Sequence, residues 1–96
     1  MLDEQKIIER FISYVKIDSQ SNADSEVTPS TKIQWDIANK LVQDLKDIGL
    51  SRVSIDKNAY IYATLPSNIK KKCPIIGFIS HFDTSPDFSG TNIKPQ

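Results

Sequence analysis

One short apolar run that ends in polar side chains constrains the fold more than any other part of the chain. The run covers residues 75–79, and its apolar side chains fall on both alternating faces of an extended chain. A bounded run of this kind is typical of a strand that is covered on both sides, as at the centre of an α/β sheet. The pattern therefore predicts a buried central strand over residues 74–80.

The polar residues that follow this run include the only histidine of the chain, His81, and the carboxylate of Asp83 two positions later. Ligands of open α/β sheets bind beyond the carboxyl ends of strands. In an extended chain the two side chains would leave the same face. Such a pair is typical of a metal ligand with its orienting carboxylate, of two members of a nucleophilic triad, or of a histidine that only caps a strand. The residues alone leave these three readings open.

Two amphipathic helices are predicted in the first half of the chain. Asp3 is the expected N-cap of a helix over residues 3–16, with one apolar stripe packed on the sheet. Ser30 is the expected N-cap of a second helix, which Gly49 ends in the left-handed conformation. Between the helices, residues 18–29 form a polar loop whose length favours either a functional role or disorder.

A β-hairpin is predicted after the second helix. Val53 and Ile55 alternate with polar residues, residues 56–59 suit a turn, and residues 60–65 are rich in aromatic and β-branched side chains. The closing residues 84–96 are expected to form a loop. With the central strand, these elements predict an α/β fold made of two helices, a hairpin and a strand of a mixed sheet.

Two longer strings, Y-I-Y-A-T-L-P-S-N and H-F-D-T-S-P-D-F-S-G, carry a family resemblance. They closely resemble the peptidase T branch of the M20 di-zinc metallopeptidases. The resemblance implies the N-terminal part of a three-layer α/β/α zinc-exopeptidase catalytic domain. Residues 1–96 are then expected to be an incomplete part of that domain, with no second domain present.

The resemblance also implies a function and two site residues. The family members are zinc-dependent aminopeptidases that release the N-terminal residue of tripeptides and use two zinc ions. His81 matches the family's first zinc ligand, and Asp83 matches an acidic residue counted among the catalytic residues. The other metal ligands and the general base match positions beyond Gln96, so we expect the 96 residues alone to be inactive.

Composition narrows the choice of partners and location. Twelve basic and twelve acidic residues cancel, which argues against nucleic-acid and membrane-surface partners. A single cysteine, Cys73, excludes an intrachain disulfide and favours the cytoplasm. An apolar strand with an open edge is a template for pairing with another chain, so we expect the isolated chain to self-associate.

Two other classes of function remain as alternatives. One is a small non-catalytic α/β binding module, or a vestigial truncated peptidase, that uses the loop after His81. The other is a hydrolase in which His81 and Asp83 act as base and orienting group for a serine. Ser80 and Ser85 flank the histidine, but the chain lacks a G-x-S-x-G nucleophile elbow.

Overall fold

Two helices precede one β-hairpin in the computed structural model, which describes residues 2–96. The elements are α1 (Glu4–Val15), α2 (Gln34–Ile48), β1 (Ser51–Ile55) and β2 (Ile61–Thr64). The two strands form an antiparallel sheet, and α2 lies against β1 and, less extensively, against β2. The predicted α/β class and the predicted order of helices and hairpin are therefore confirmed.

Helix α1 begins where its cap was predicted. The carboxylate of Asp3 accepts a hydrogen bond from the backbone N–H of Lys6 at 3.2 Å, which satisfies one of the free donors of the first turn. All twelve residues of α1 are described and none is buried; Phe11 is 58% exposed. The prediction that this stripe packs on the sheet is wrong, because α2 takes the place against the two short strands.

Helix α2 begins three residues later than predicted. Its N-cap position is Ile33, which makes no side-chain capping hydrogen bond, so the prediction of a Ser30 cap is wrong. The Ser30 hydroxyl instead accepts the backbone N–H of Asn22 at 3.0 Å. The chain enters α2 through short turns, as the hydrogen bond from the Asp36 N–H to the Ile33 carbonyl shows.

The other end of α2 matches the prediction. Gly49 is left-handed, with φ of 98°, and its N–H bonds back to carbonyls of the last turn. A Cβ placed on Gly49 would meet no atom within 4 Å. The glycine is therefore needed here for its backbone conformation and not for space.

A polar contact joins α1 to α2. Lys40 Nζ lies 2.8 Å from Asp44 Oδ1 and 5.6 Å from the centre of the Tyr14 ring. Partial burial, followed by a hydrogen bond and the charge of Asp44, raises the pKa of Tyr14 to about 12. Burial raises the pKa of Asp44, but hydrogen bonds from Lys40 and Tyr14 and the charges of Lys40 and Arg10 outweigh it, so the net pKa is lowered.

The hairpin turn is closed by one aspartate. Asp56 Oδ1 accepts the backbone N–H groups of Asn58 and Tyr60, both at 2.9 Å. Ala59 lies between them with a positive φ of 63° and only 1% exposure. The predicted turn is confirmed, and Ala59 joins two residues of α2 in a small apolar core made of Ile37, Ala38 and Ala59.

The predicted central strand is not formed. Within residues 2–96 the strands are β1 and β2 alone, and residues 74–80 have no strand assignment. Their side chains face solvent: Ile75 is 100% exposed, Phe78 95% and Ile79 101%. The prediction of a buried strand is wrong for this chain because neither a pairing strand nor a covering helix reaches the segment.

A helix that crosses a bilayer needs about 20 consecutive, mostly apolar residues, and the helices described within residues 2–96 are α1 and α2. Neither of them is both long enough and apolar enough to do so.

Candidate functional site

The side chains of His81 and Asp83 meet directly after the exposed apolar segment. His81 Nδ1 lies 2.9 Å from Asp83 Oδ1. The imidazole is 83% exposed and the carboxylate 42% exposed. A carboxylate on one ring nitrogen fixes the orientation and tautomer of the ring and leaves Nε2 free for another partner. The same contact occurs between a metal-binding histidine and its orienting carboxylate and between the histidine and the acid of a catalytic triad.

The loop after α1 holds the backbone on the carboxyl side of this pair. Gln20 and Thr84 form an isolated parallel bridge. In it the Thr84 N–H donates to the Ser19 carbonyl at 3.1 Å, and the Ser21 N–H donates to the Thr84 carbonyl at 2.9 Å. Residues 19–21 of the loop between the helices therefore lie beside the His81–Asp83 pair.

Side chains of the same loop extend the contact. The Ser19 hydroxyl donates to the Phe82 carbonyl at 3.0 Å, and the Gln20 amide donates to the carbonyls of Ser85 and Phe88. Gly90 approaches Asp18 so closely that a Cβ at Gly90 would overlap the carboxylate. Residues 82–90 are therefore held as a loop against the loop that follows α1.

The serines beside the histidine are directed elsewhere. The Ser80 hydroxyl donates to the His81 carbonyl at 3.3 Å, and the Ser85 hydroxyl donates to the Asp87 carboxylate at 2.9 Å. A nucleophilic serine should share a hydrogen bond with its base. The geometry does not favour the serine-hydrolase alternative.

A zinc ion fits the donor chemistry of His81 but needs more ligands than its surroundings supply. Catalytic zinc has about three protein ligands. Among residues 2–96, no group of three or more His, Cys, Asp or Glu side chains is placed to hold a metal ion. His81 with Asp83 fits one ligand position of such a centre, and the exposed Cys73 belongs to no such group of ligands within residues 2–96.

Comparison with known proteins finds curated relatives that share one name. No family model matches the chain. The chain is 57% identical over 90 residues to "Peptidase T" of Clostridium botulinum, 55% identical over 93 residues to that of Bacillus licheniformis, and 53% identical over 93 residues to that of Geobacillus thermodenitrificans. The chain is a homologue of an N-terminal part of peptidase T.

The peptidase T homology covers this chain almost completely but the relatives only in part. The alignments include 94–97% of the chain and 22–23% of each relative. The chain thus spans less than a quarter of the length of the curated relatives that it matches. The sequence resemblance to peptidase T is confirmed, whereas the roles of His81 and Asp83 stay predictions.

Sequence reasoning missed the residues that hold the site. Ser19 and Gln34 are the two buried polar residues found within residues 2–96, at 1% and 4% exposure. Ser19 lies in a string of polar residues typical of a solvated loop, and its partner Phe82 is 63 residues away. No local pattern connects positions so far apart, so only the structure reveals the contact.

Proposed function

We propose that this chain, together with the further residues its peptidase T relatives possess, forms a zinc-dependent aminopeptidase of the M20 metallopeptidase type. The substrate is a tripeptide, and the product is its free N-terminal residue. The observation that carries the proposal is the 2.9 Å contact between His81 Nδ1 and Asp83 Oδ1 in a chain that aligns with peptidase T along 94–97% of its length.

Each residue of the pair has one role in this proposal. His81 is a zinc ligand through Nε2, the ring nitrogen on the far side from Asp83. Asp83 accepts the Nδ1 proton, holds the plane of the ring and increases the electron density on Nε2. A family-type pair of zinc ions would supply a polarised carbonyl and a more acidic bound water. The remaining ligands and the general base would come from the part of peptidase T that this chain does not match.

The exposed segment 75–79 has a role in the same proposal. Its apolar side chains are suited to a strand with neighbours on both edges and cover on both faces. We propose that it becomes the central strand of a three-layer α/β/α domain when the additional residues of a complete peptidase are present. His81 and Asp83 would then stand at the carboxyl end of that strand, where ligands of α/β sheets bind.

A chimeric enzyme tests the proposal. The aligned N-terminal part of Bacillus licheniformis peptidase T is replaced by this chain, to which it is 55% identical. Hydrolysis of a tripeptide with a free amino terminus is followed by chromatography, with and without a zinc chelator. We expect chelator-sensitive release of the first residue.

Variants of the chimera assign the roles. His81→Ala should reduce turnover to background, and Asp83→Asn should reduce activity or zinc affinity by about 10–100-fold. Ser67→Ala is the control, because Ser67 is exposed and its hydroxyl contacts only Ile69 and Cys73, not the His81–Asp83 pair. A folded chimera that lacks activity, or that keeps full activity after His81→Ala, would refute the proposal.

The isolated 96-residue chain is expected to be inactive. With one histidine in the described site, calorimetric titration with zinc should give no micromolar affinity, and a tripeptide should remain intact. Metal-dependent turnover by the isolated chain would contradict this expectation. Micromolar zinc binding without turnover would instead support the non-catalytic binding module.

We also propose that the isolated chain self-associates through residues 75–79. Four large apolar side chains that are 75–101% exposed would each gain about 1.5–3 kcal/mol if fully buried. Association itself costs at least about 4 kcal/mol, so this surface suffices for a weak dimer. Sedimentation velocity over a range of concentrations should show this dimer, and a monomer at every concentration would exclude it.

The proposed location of the protein is the cytoplasm, without nucleic-acid or membrane partners.

A further inference from the structure

We propose that Ser19 is a positioning residue for the His81–Asp83 pair. Its hydroxyl and its carbonyl hold the backbone on both sides of Asp83, and so keep the carboxylate within hydrogen-bond distance of the imidazole. The proposal rests on the proposed function only for the role of the pair, because the contacts themselves do not depend on any activity.

The burial of Ser19 is the first observation. Serine is a mostly exposed residue type, yet Ser19 is 1% exposed and its hydroxyl reaches one acceptor, the Phe82 carbonyl at 3.0 Å. Removing a buried donor leaves its partner without a hydrogen bond, which is unfavourable. The contact is therefore a specific fixation of the Phe82 peptide and not a surface contact that water replaces easily.

The placement of the two Ser19 contacts is the second observation. The Ser19 hydroxyl holds the carbonyl that precedes Asp83, and the Ser19 carbonyl accepts the N–H of Thr84, which follows Asp83, at 3.1 Å. One residue thus fixes the chain immediately before and immediately after the carboxylate. His81 itself is 83% exposed, so its orientation depends on Asp83.

Gln34 at the start of α2 supports Ser19 in turn. Its amide nitrogen donates to the Ser19 carbonyl at 3.3 Å and lies 3.4 Å from the Gln20 carbonyl. Gln34 is 4% exposed, and α2 lies against the hairpin. A continuous set of hydrogen bonds therefore runs from the helix through Ser19 to the peptide beside Asp83.

The chemical consequence concerns the tautomer of the imidazole. A carboxylate fixed at Nδ1 favours the tautomer with the proton on Nδ1 and the lone pair on Nε2. A histidine without such a partner favours the proton on Nε2 in water. If Ser19 positions Asp83, removal of the Ser19 hydroxyl shifts the imidazole toward the Nε2–H tautomer even in the absence of metal and substrate.

The test is ¹⁵N NMR of the imidazole at a pH where the ring is neutral. His81 is the only histidine, so its two ring nitrogens give the only imidazole signals. For Ser19→Ala we expect the Nδ1–H to Nε2–H population ratio to fall at least about threefold, as for the loss of one hydrogen bond. Asp83→Asn is the positive control, and Ser67→Ala should leave the ratio unchanged.

Circular dichroism must show that α1 and α2 persist in the variant that is compared. If the helices are lost in Ser19→Ala, the tautomer ratio is measured in Ser19→Cys instead. A thiol is similar in size to a hydroxyl but is a weaker hydrogen-bond donor. A wild-type ratio in either folded variant would overturn the proposal. Unfolding of both variants would also overturn it, since the role would then be general stability. If Ser19→Ala lowers the Nδ1–H to Nε2–H ratio as expected but the chimeric enzyme is inactive, only the proposed peptidase function is refuted.

Discussion

Two isoleucines at opposite extremes of burial provide a sharp test of the structure. Ile37 in α2 is 5% exposed, and Ile79 in the apolar segment before His81 is 101% exposed. An exposure above 100% means that unfolding uncovers no further surface of the side chain. Replacing each residue by valine removes the same methylene group, so any difference in stability reports burial alone.

The magnitude follows from the two exposures. A buried methylene contributes about 0.8 kcal/mol. Ile37→Val should therefore lower the free energy of unfolding by about 0.8 kcal/mol, with about 0.5–1.5 kcal/mol as the range for such changes. Ile79→Val should change the free energy of unfolding by less than about 0.5 kcal/mol. A difference of about 0.8 kcal/mol is about a fourfold change in the unfolding constant.

Urea titration followed by circular dichroism measures both values. The protein concentration must be low enough for sedimentation to show a monomer, since association through residues 75–79 would itself bury Ile79. Equal destabilisation by the two substitutions in a monomeric sample would refute the reasoning. It would mean that the segment is covered in the isolated chain.

Three further predictions concern local features. Gly49→Ala should lower the free energy of unfolding by about 1 kcal/mol in urea titration, because φ of Gly49 is 98°. Gly77→Ala should be near neutral, because a Cβ added there meets no atom within 4 Å. Equal effects of the two substitutions would contradict the argument from backbone strain. Asp3→Ala should cost about 1 kcal/mol and lower helicity by circular dichroism, while Asp3→Asn, which keeps a capping oxygen, should not; equal losses would exclude the cap. In the folded chain the pKa of Tyr14 is raised from 10 to about 12, so the protonated phenol contributes stability that is fully present below pH 10 and is lost as the pH rises to about 12. The free energy of unfolding, measured by urea titration at several pH values, should therefore fall over this range. The same fall in Tyr14→Phe would contradict the assignment to Tyr14.

Local signals in the sequence predicted the parts of the fold that depend on neighbouring residues. The Asp3 cap, the left-handed Gly49 and the turn closed by Asp56 each use partners within four residues. The predicted N-cap at Ser30 was wrong because the Ser30 hydroxyl accepts a hydrogen bond from the Asn22 N–H, eight residues earlier, instead of from the first turn of α2. A local preference is reliable only where no other part of the chain competes for the same group.

The two other wrong predictions, the buried central strand and the packing of α1 on the sheet, failed for the same reason. The patterns of residues 75–79 and of α1 describe apolar surfaces suited to burial, but burial also requires elements that cover them. In this chain one helix and two short strands provide too little cover, so residues 75–79 stay exposed and no residue of α1 is buried. The His81–Asp83 pair was predictable from its spacing, whereas Ser19, whose partner is 63 residues away, was not.

The hydrogen bonds between residues 19–21 and 82–84 also determine when the site can form during folding. They close a loop of about 60 residues, and the entropic cost of closure, on the order of 4 kcal/mol for that length, is opposed by only a few hydrogen bonds. The helices and hairpin need no such closure and can form first. During synthesis on the ribosome, the imidazole and its carboxylate would therefore reach their final geometry last, and local opening would separate the two loops before the helices unfold.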